Sequence, residues 1–253
     1  MTRIPRRKST NGIYHIMLRG INRQTIFEDD EDKLRLLSTI KRFKGKDSFE
    51  LFAYCLMDNH IHLLIKEAEE SISKTIQRIS ASYVYWYNNK YERFGHLFQE
   101  RFKSENVDTI AYFFTVLRYI HQNPVKAGIA NNAFACEWTS IHEYYGRANL
   151  VTVDFVFQLI SPNRNKATQL FTEYMLATND DECLDNDVKV KRSDSEVKRH
   201  LANLGIPNNT VLQQMEKQKR NKIISELRGL EGITIRQLAR ITGISKSVIH
   251  RIQ

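Results

Sequence analysis

The stretch Phe49-Glu-Leu-Phe-Ala-Tyr-Cys-Leu-Met-Asp-Asn-His-Ile-His-Leu-Leu-Ile-Lys66 decides the reading of the N-terminal half. Two apolar runs, 49–57 and 60–66, flank an Asp58-Asn59 pair suited to a tight turn, which makes this segment a β-hairpin. Upstream, residues 12–19 read as another strand. Ile13, His15 and Met17 alternate with Tyr14, Ile16 and Leu18, and both faces are largely apolar, as in a central strand covered on both sides. Between these strands, Leu34, Leu37, Ile40 and Lys41 fall at helical spacing over 30–44, with Asp29, Asp30 and Glu31 near the positive end of the helix. Downstream, Ile72, Ile76, Ile79, Tyr83 and Trp86 mark one face of a helix over about 71–91. A short strand at 101–107 and a helix at about 109–121 follow. Strand, helix, strand, strand, helix, strand is the split βαβ, or ferredoxin-like, order. The expected fold class is therefore α+β: an antiparallel sheet with helices on one face, closed by one further helix and followed by an all-α C-terminal region.

Charge divides the chain of 253 residues. Net charge is +5 over 1–150, −4 over 151–190 and +8 over 191–253. A basic body, an acidic middle and a strongly basic tail suggest two surfaces for a polyanion. The polar stretch 178–196 reads as a linker or surface loop. The domain expectation is 1–150 for the α+β domain, 151–190 for a helical, acidic connector and 191–253 for a helical DNA-binding domain. No apolar run approaches the roughly 20 residues that span a bilayer, and the basic N-terminus lacks the apolar segment of a secretory signal. Cys55, Cys136 and Cys183 match no zinc or redox spacing, so reduced thiols in a cytoplasmic protein are expected.

Two motifs bear chemistry. On a strand, His60 and His62 face the same way, and two neutral imidazoles on one rigid face can chelate a divalent cation. Taken alone, a His-x-His pair is more often structural. On a helix, Tyr119 and Asn123 of Leu117-Arg-Tyr-Ile-His-Gln-Asn-Pro124 share a face one turn apart, and Pro124 is expected to end the helix near that point. That pairing offers a nucleophile and a third metal ligand together, although, taken alone, an amphipathic helix with a packed tyrosine and an Asn at its C-terminus is the better reading. The chemistry connects the two motifs. A phosphodiester resists attack by an anion until its charge is neutralised by a metal ion. A phenol, with a reference pKa of about 10, needs deprotonation or nearby positive charge to act as a nucleophile.

Four ordered blocks resemble the single-tyrosine HUH transposases of bacterial insertion sequences, most closely their REP-associated relatives. They are Gly12–Gly20, Ala53–Ile65, Gly95-His-Leu-Phe-Gln-Glu-Arg-Phe-Lys-Ser104 and Arg118-Tyr-Ile-His-Gln-Asn-Pro-Val-Lys-Ala-Gly128, within a resemblance covering about residues 8–146. The resemblance implies a ferredoxin-like fold, Tyr119 as nucleophile, and His60, His62 and Asn123 as ligands of Mg²⁺ or Mn²⁺. It implies cleavage and rejoining of single-stranded DNA, at hairpin (REP-like) sequences, through a covalent 5′-phosphotyrosine. A homodimer is the matching assembly, since one tyrosine per chain holds one cut end. The implied location is a bacterial cytoplasm, in association with the nucleoid. Two alternatives remain: a domesticated DNA-binding regulator that no longer cuts, and a metal-dependent nuclease that uses water. Arg101 and Lys103 on the predicted edge strand, and the arm Arg3, Arg6, Arg7 and Lys8, are candidate phosphate contacts. His15 and His121 are candidate supporting groups, with a structural role the plainer reading of each. Tyr112, two turns before Tyr119, lacks the Asn-Pro that follows Tyr119 and reads as packing.

Residues 234–252 fit a helix-turn-helix. Leu238, Ala239, Gly243, Ile244, Ile249 and Ile252 sit where two crossing helices meet, and Ser245 suits an N-cap. Lys246, Ser247, His250 and Arg251 would then face a major groove of duplex DNA. A small bundle that only packs is the competing reading.

Overall fold

The computed structural model describes residues 7–47, 49–99, 101–184, 194–206, 209–230 and 233–252, and the chain forms two compact units, Met1–Asn186 and Asp187–Gln253. In the first unit the order is β1 (Ile13–Arg19), α1 (Asp30–Asp47), β2 (Glu50–Met57), β3 (His60–Lys66), α2 (Ile72–Lys90), β4 (Lys103–Asn106) and α3 (Ile110–Lys126). The strands form one sheet in the order β2-β3-β1-β4, and every neighbouring pair is antiparallel. This is the split βαβ order expected from the sequence, with the hairpin turning at Asp58-Asn59.

The expectation of helices on one face needs correction. Helix α2 shares a cavity wall with Tyr14 and Leu18, which point to one side of β1. Helix α3 brings Tyr119 against His15 and His62, whose side chains point to the other. The cause lies in the strands: Ile61, Leu63 and Ile65 on one face of β3 and Leu64 on the other are all buried. Such strands need an apolar layer on each side.

Helix α3 also runs beyond the expected stop and contains Pro124. A proline this close to a C-terminus removes one backbone donor but interrupts little helix. The chain turns at Gly128, whose φ of +70° suits a residue with no Cβ. There Ile129 and Ala130 donate their N–H groups to the Pro124 carbonyl.

The segment expected as a connector contains α4 (Val153–Ile160) and α5 (Arg164–Leu176). Val156, Phe157, Phe171 and Met175 are buried in the same core as the sheet. Tyr144 stacks on Phe171 with centroids 4.5 Å apart.

One buried carboxylate ties α1 to α2. Asp32 is wholly buried. One oxygen accepts the N–H of Glu28, while Lys90 and Tyr91 at the end of α2 donate to the other. Asp32→Ala removes the acceptor of the Glu28 N–H, while Lys90 and Tyr91 still reach Asp29, and is expected to cost about 2 kcal/mol, the scale of one buried polar group left unsatisfied. Urea unfolding checks it: the midpoint falls while the slope stays constant. An unchanged midpoint would mean the network contributes nothing.

The second unit is all helical: α6 (Asp194–Asn203), α7 (Asn209–Gln214), α8 (Lys217–Gly229), α9 (Ile235–Thr242) and α10 (Lys246–Arg251). Helices α7 and α8 are parted at Met215 and Glu216. Its own core includes Val197, Leu212, Ile224, Leu238 and Ile249. Gly243 ends α9 in the left-handed region, with φ +72°, and a Cβ there would lie 2.5 Å from the Gln213 amide nitrogen. Ser245 holds the N-cap position of α10, but its hydroxyl bonds to Ser247 instead of capping a backbone N–H.

Candidate active site

Strand alternation builds the site. His15 on β1 and His62 on β3 are both fully buried and point to one face of the sheet. The His15 Nε2 and His62 Nδ1 atoms are 2.9 Å apart. His60, half-buried at the start of β3, stands edge-on to His62 with centroids 4.9 Å apart. Its Nδ1 lies 2.6 Å from the side-chain oxygen of Asn59.

Helix α3 starts at Thr109, whose hydroxyl accepts the Tyr112 N–H. It lays Tyr119 over the two buried histidines. The Tyr119 ring is 5.7 Å from the His62 ring and 5.9 Å from the His15 ring, and the residue is 5% exposed. Lys126 adds a positive charge, its Nζ 5.0 Å from the Tyr119 ring centre. Asn123 is buried one turn beyond Tyr119. The two motifs singled out in the sequence, far apart along the chain, thus meet at one face of the sheet.

The helix that carries Tyr119 is braced from behind. Arg118 makes a two-pronged ion pair with Asp181, and Lys126 donates to the Asp181 carbonyl. The Gln122 amide donates to the carbonyls of Met175 and Ala177. His121 takes no part in the histidine cluster. Its Nε2 lies 2.8 Å from the Ser140 hydroxyl, and burial pushes its pKa down to about 3, so it stays neutral.

Glu105 and Arg19, on the histidine face, escaped the sequence reading. Glu105 on β4 is the cross-strand partner of His15, with a carboxylate oxygen 3.9 Å from His15 Nδ1. At that distance the contact is electrostatic, too long for a direct hydrogen bond. The His15 ring, the largest influence, holds the Glu105 carboxyl below the usual carboxylate range. Tyr112 lies beside Glu105, and burial pushes its phenol up. Arg19 is the cross-strand partner of His60. Counting alternate residues from His15 through Met17 to Arg19 would have found it, because all three share a face.

The candidate phosphate contacts separate. Lys103 is the cross-strand partner of Met17, which puts it on the histidine face. Arg7, Lys8 and Arg101 instead line a cavity of about 990 Å³ with Tyr14 and Leu18, on the other side of the sheet. Arg3 and Arg6 lie outside the described residues. Lys246, Ser247, His250 and Arg251 are all exposed on α10. All three cysteines are free.

Among the described residues, no group of three or more His, Cys, Asp or Glu side chains is placed to hold a metal ion. The candidate set of two imidazoles and one carboxamide is of another kind. Both Nδ1 atoms are engaged by neighbours, so the Nε2 atoms are the natural donors. Imidazoles with an amide oxygen suit Mn²⁺ better than Mg²⁺, which prefers oxygen ligands throughout.

Residues 8–123 match the family described as "Transposase IS200 like". No curated protein matches the chain. Among solved structures, a REP-associated tyrosine transposase bound to a REP hairpin aligns at TM-score 0.50 and 19% identity, covering 61% of this chain and 90% of that one. A candidate transposase from Deinococcus radiodurans aligns over 51% of this chain and 97% of its own, at 14% identity and a TM-score of 0.35, too low to support an argument. Through residues 8–123 in sequence, and through its N-terminal unit in fold, this chain resembles the IS200-like transposases.

Proposed function

We propose that the N-terminal unit is a DNA transposase that cuts and rejoins single strands with Tyr119 as nucleophile, beside a divalent cation held by His60, His62 and Asn123. The observation that carries this reading is the Tyr119 ring 5.7 Å from the His62 ring within one chain. When bound, the cation would neutralise the scissile phosphate and polarise its phosphorus–oxygen bonds. Tyr119 gives up its phenolic proton and its oxygen attacks phosphorus. The bond to the 3′-oxygen breaks, and that oxygen leaves as a 3′-hydroxyl after taking up a proton. A 5′-phosphotyrosine remains, and a 3′-hydroxyl from another strand reverses the step. Lys126 and Lys103 bring positive charge to the same face, where it favours a phosphate. Hairpin DNA is the proposed substrate class, a reading supported by the REP hairpin bound to the relative of similar fold. One such tyrosine per chain makes two copies the natural assembly for holding two ends. The test is incubation with labelled single-stranded hairpins from the DNA flanking this gene, with Mn²⁺ or Mg²⁺. The expected product is a metal-dependent protein–DNA adduct on a denaturing gel. Tight binding without cutting would favour the regulator instead.

The C-terminal unit is proposed to bind duplex DNA through α9 and α10 as a helix-turn-helix. The support is the αL glycine between the two helices and the exposed Lys246, Ser247, His250 and Arg251 on the second. Lys246→Ala with Arg251→Ala is expected to weaken duplex binding and to reduce the slope of log affinity against log salt by about 1 for each phosphate no longer neutralised. Fluorescence anisotropy across a salt series reads both, and an unchanged slope would return the unit to a packing role.

A further inference from the structure

We propose that Glu105 and His15 form a relay that fixes which ring nitrogen of His62 carries its proton, turning the Nε2 lone pair of His62 toward the metal site. The inference rests on the proposed metal site and concerns two residues outside it.

In the buried contact of 2.9 Å between His15 Nε2 and His62 Nδ1, one ring donates and the other accepts. Two neutral arrangements satisfy it. In the first, His62 donates from Nδ1, His15 accepts at Nε2, and the His15 proton sits on Nδ1. In the second, His15 donates from Nε2, which leaves a lone pair on His15 Nδ1 and puts the His62 proton on Nε2. Only the first gives His62 an Nε2 lone pair, and a metal requires that lone pair.

Glu105 selects between them. Its carboxylate oxygen stands 3.9 Å from His15 Nδ1. A negative charge there attracts an N–H and repels a lone pair, and burial of His15 strengthens that preference. The β1–β4 register sets Glu105 opposite His15. The choice then passes through the His15 ring to His62, and each 1.4 kcal/mol of preference is tenfold in tautomer ratio.

His60 reaches the same state by a separate device. The Asn59 side-chain nitrogen donates to the Arg23 carbonyl, which turns its oxygen toward His60 Nδ1. An amide oxygen only accepts, so His60 also carries its proton on Nδ1. Two unlike neighbours thus impose one tautomer on both candidate ligands. Partners of this type orient metal-binding histidines, and losing them costs about 10- to 100-fold in affinity.

The test uses the full chain, metal-free, with ¹⁵N-labelled histidine and long-range ¹H–¹⁵N correlation spectra. Wild type is expected to have the His62 proton on Nδ1. In Glu105→Ala the Nε2-protonated form becomes populated, and Mn²⁺ affinity by electron paramagnetic resonance falls about tenfold or more. Glu105→Gln keeps the shape, removes the charge and shifts both readouts the same way if the alanine variant folds poorly. A wild-type His62 protonated on Nε2, or unchanged spectra in both variants, would overturn the relay. A wild type with the expected tautomer that takes up no Mn²⁺ would overturn the metal reading and leave the relay supported.

Discussion

Tyr119→Phe is expected to abolish the proposed covalent protein–DNA adduct and to lower strand cleavage by at least about a thousandfold, the scale on which losing a nucleophile is felt. The change removes one oxygen. The ring remains between His15, His62 and Lys126, so the fold keeps its packing. Losing one hydrogen-bonding group costs about 1 kcal/mol at most sites, too little to unfold a domain of this size. The assay combines a denaturing gel of labelled oligonucleotide with a thermal melt of the same preparation. Disappearance of the adduct with an unchanged melt assigns the oxygen a chemical role. Cleavage that persists in the phenylalanine variant would transfer the reaction to a water nucleophile, with the histidines still at its centre.

His60→Ala is expected to weaken Mn²⁺ binding at least about a hundredfold and to reduce cleavage in parallel at limiting metal. His60 is the better choice for this test, because it is half-buried whereas His62 lies wholly inside the core. Its removal forfeits the hydrogen bond to Asn59, a side chain that Arg23 also holds. Excess Mn²⁺ restores part of the cleavage in His60→Ala and none in Tyr119→Phe. That contrast separates a ligand from a nucleophile. Equal cleavage by wild type and His60→Ala at limiting metal, or full activity in the presence of a chelator, would remove the cation from the reaction.

The sheet was legible because hairpins are local. Asp58-Asn59 and the alternation around it specify two strands within eighteen residues, and β1 carries its own alternation. The pairing of His60 with His62 follows from the same two-residue period. What stayed hidden is what register decides. Nothing near Glu105 in the chain says that it will face His15, ninety positions away, and a lone glutamate on a short strand reads as solvated. The placement of α3 followed a similar course. The apolar content of both faces of β1 pointed to a layer on each side, yet nothing in the strand order says which helix provides the second one. Pro124 misled in the opposite direction, because a breaker within one turn of a helix end has little helix left to break.

Arg118, Gln122 and Lys126, all on the helix of Tyr119, are fastened to residues 175–181. The family match ends at Asn123, far short of those fastenings. The stretch that resembles a known family is therefore smaller than the body that keeps Tyr119 in place. Resemblance and folding draw their borders at different points in this chain, and Asp181, in a stretch that reads as a tether, belongs to the mount of the Tyr119 helix.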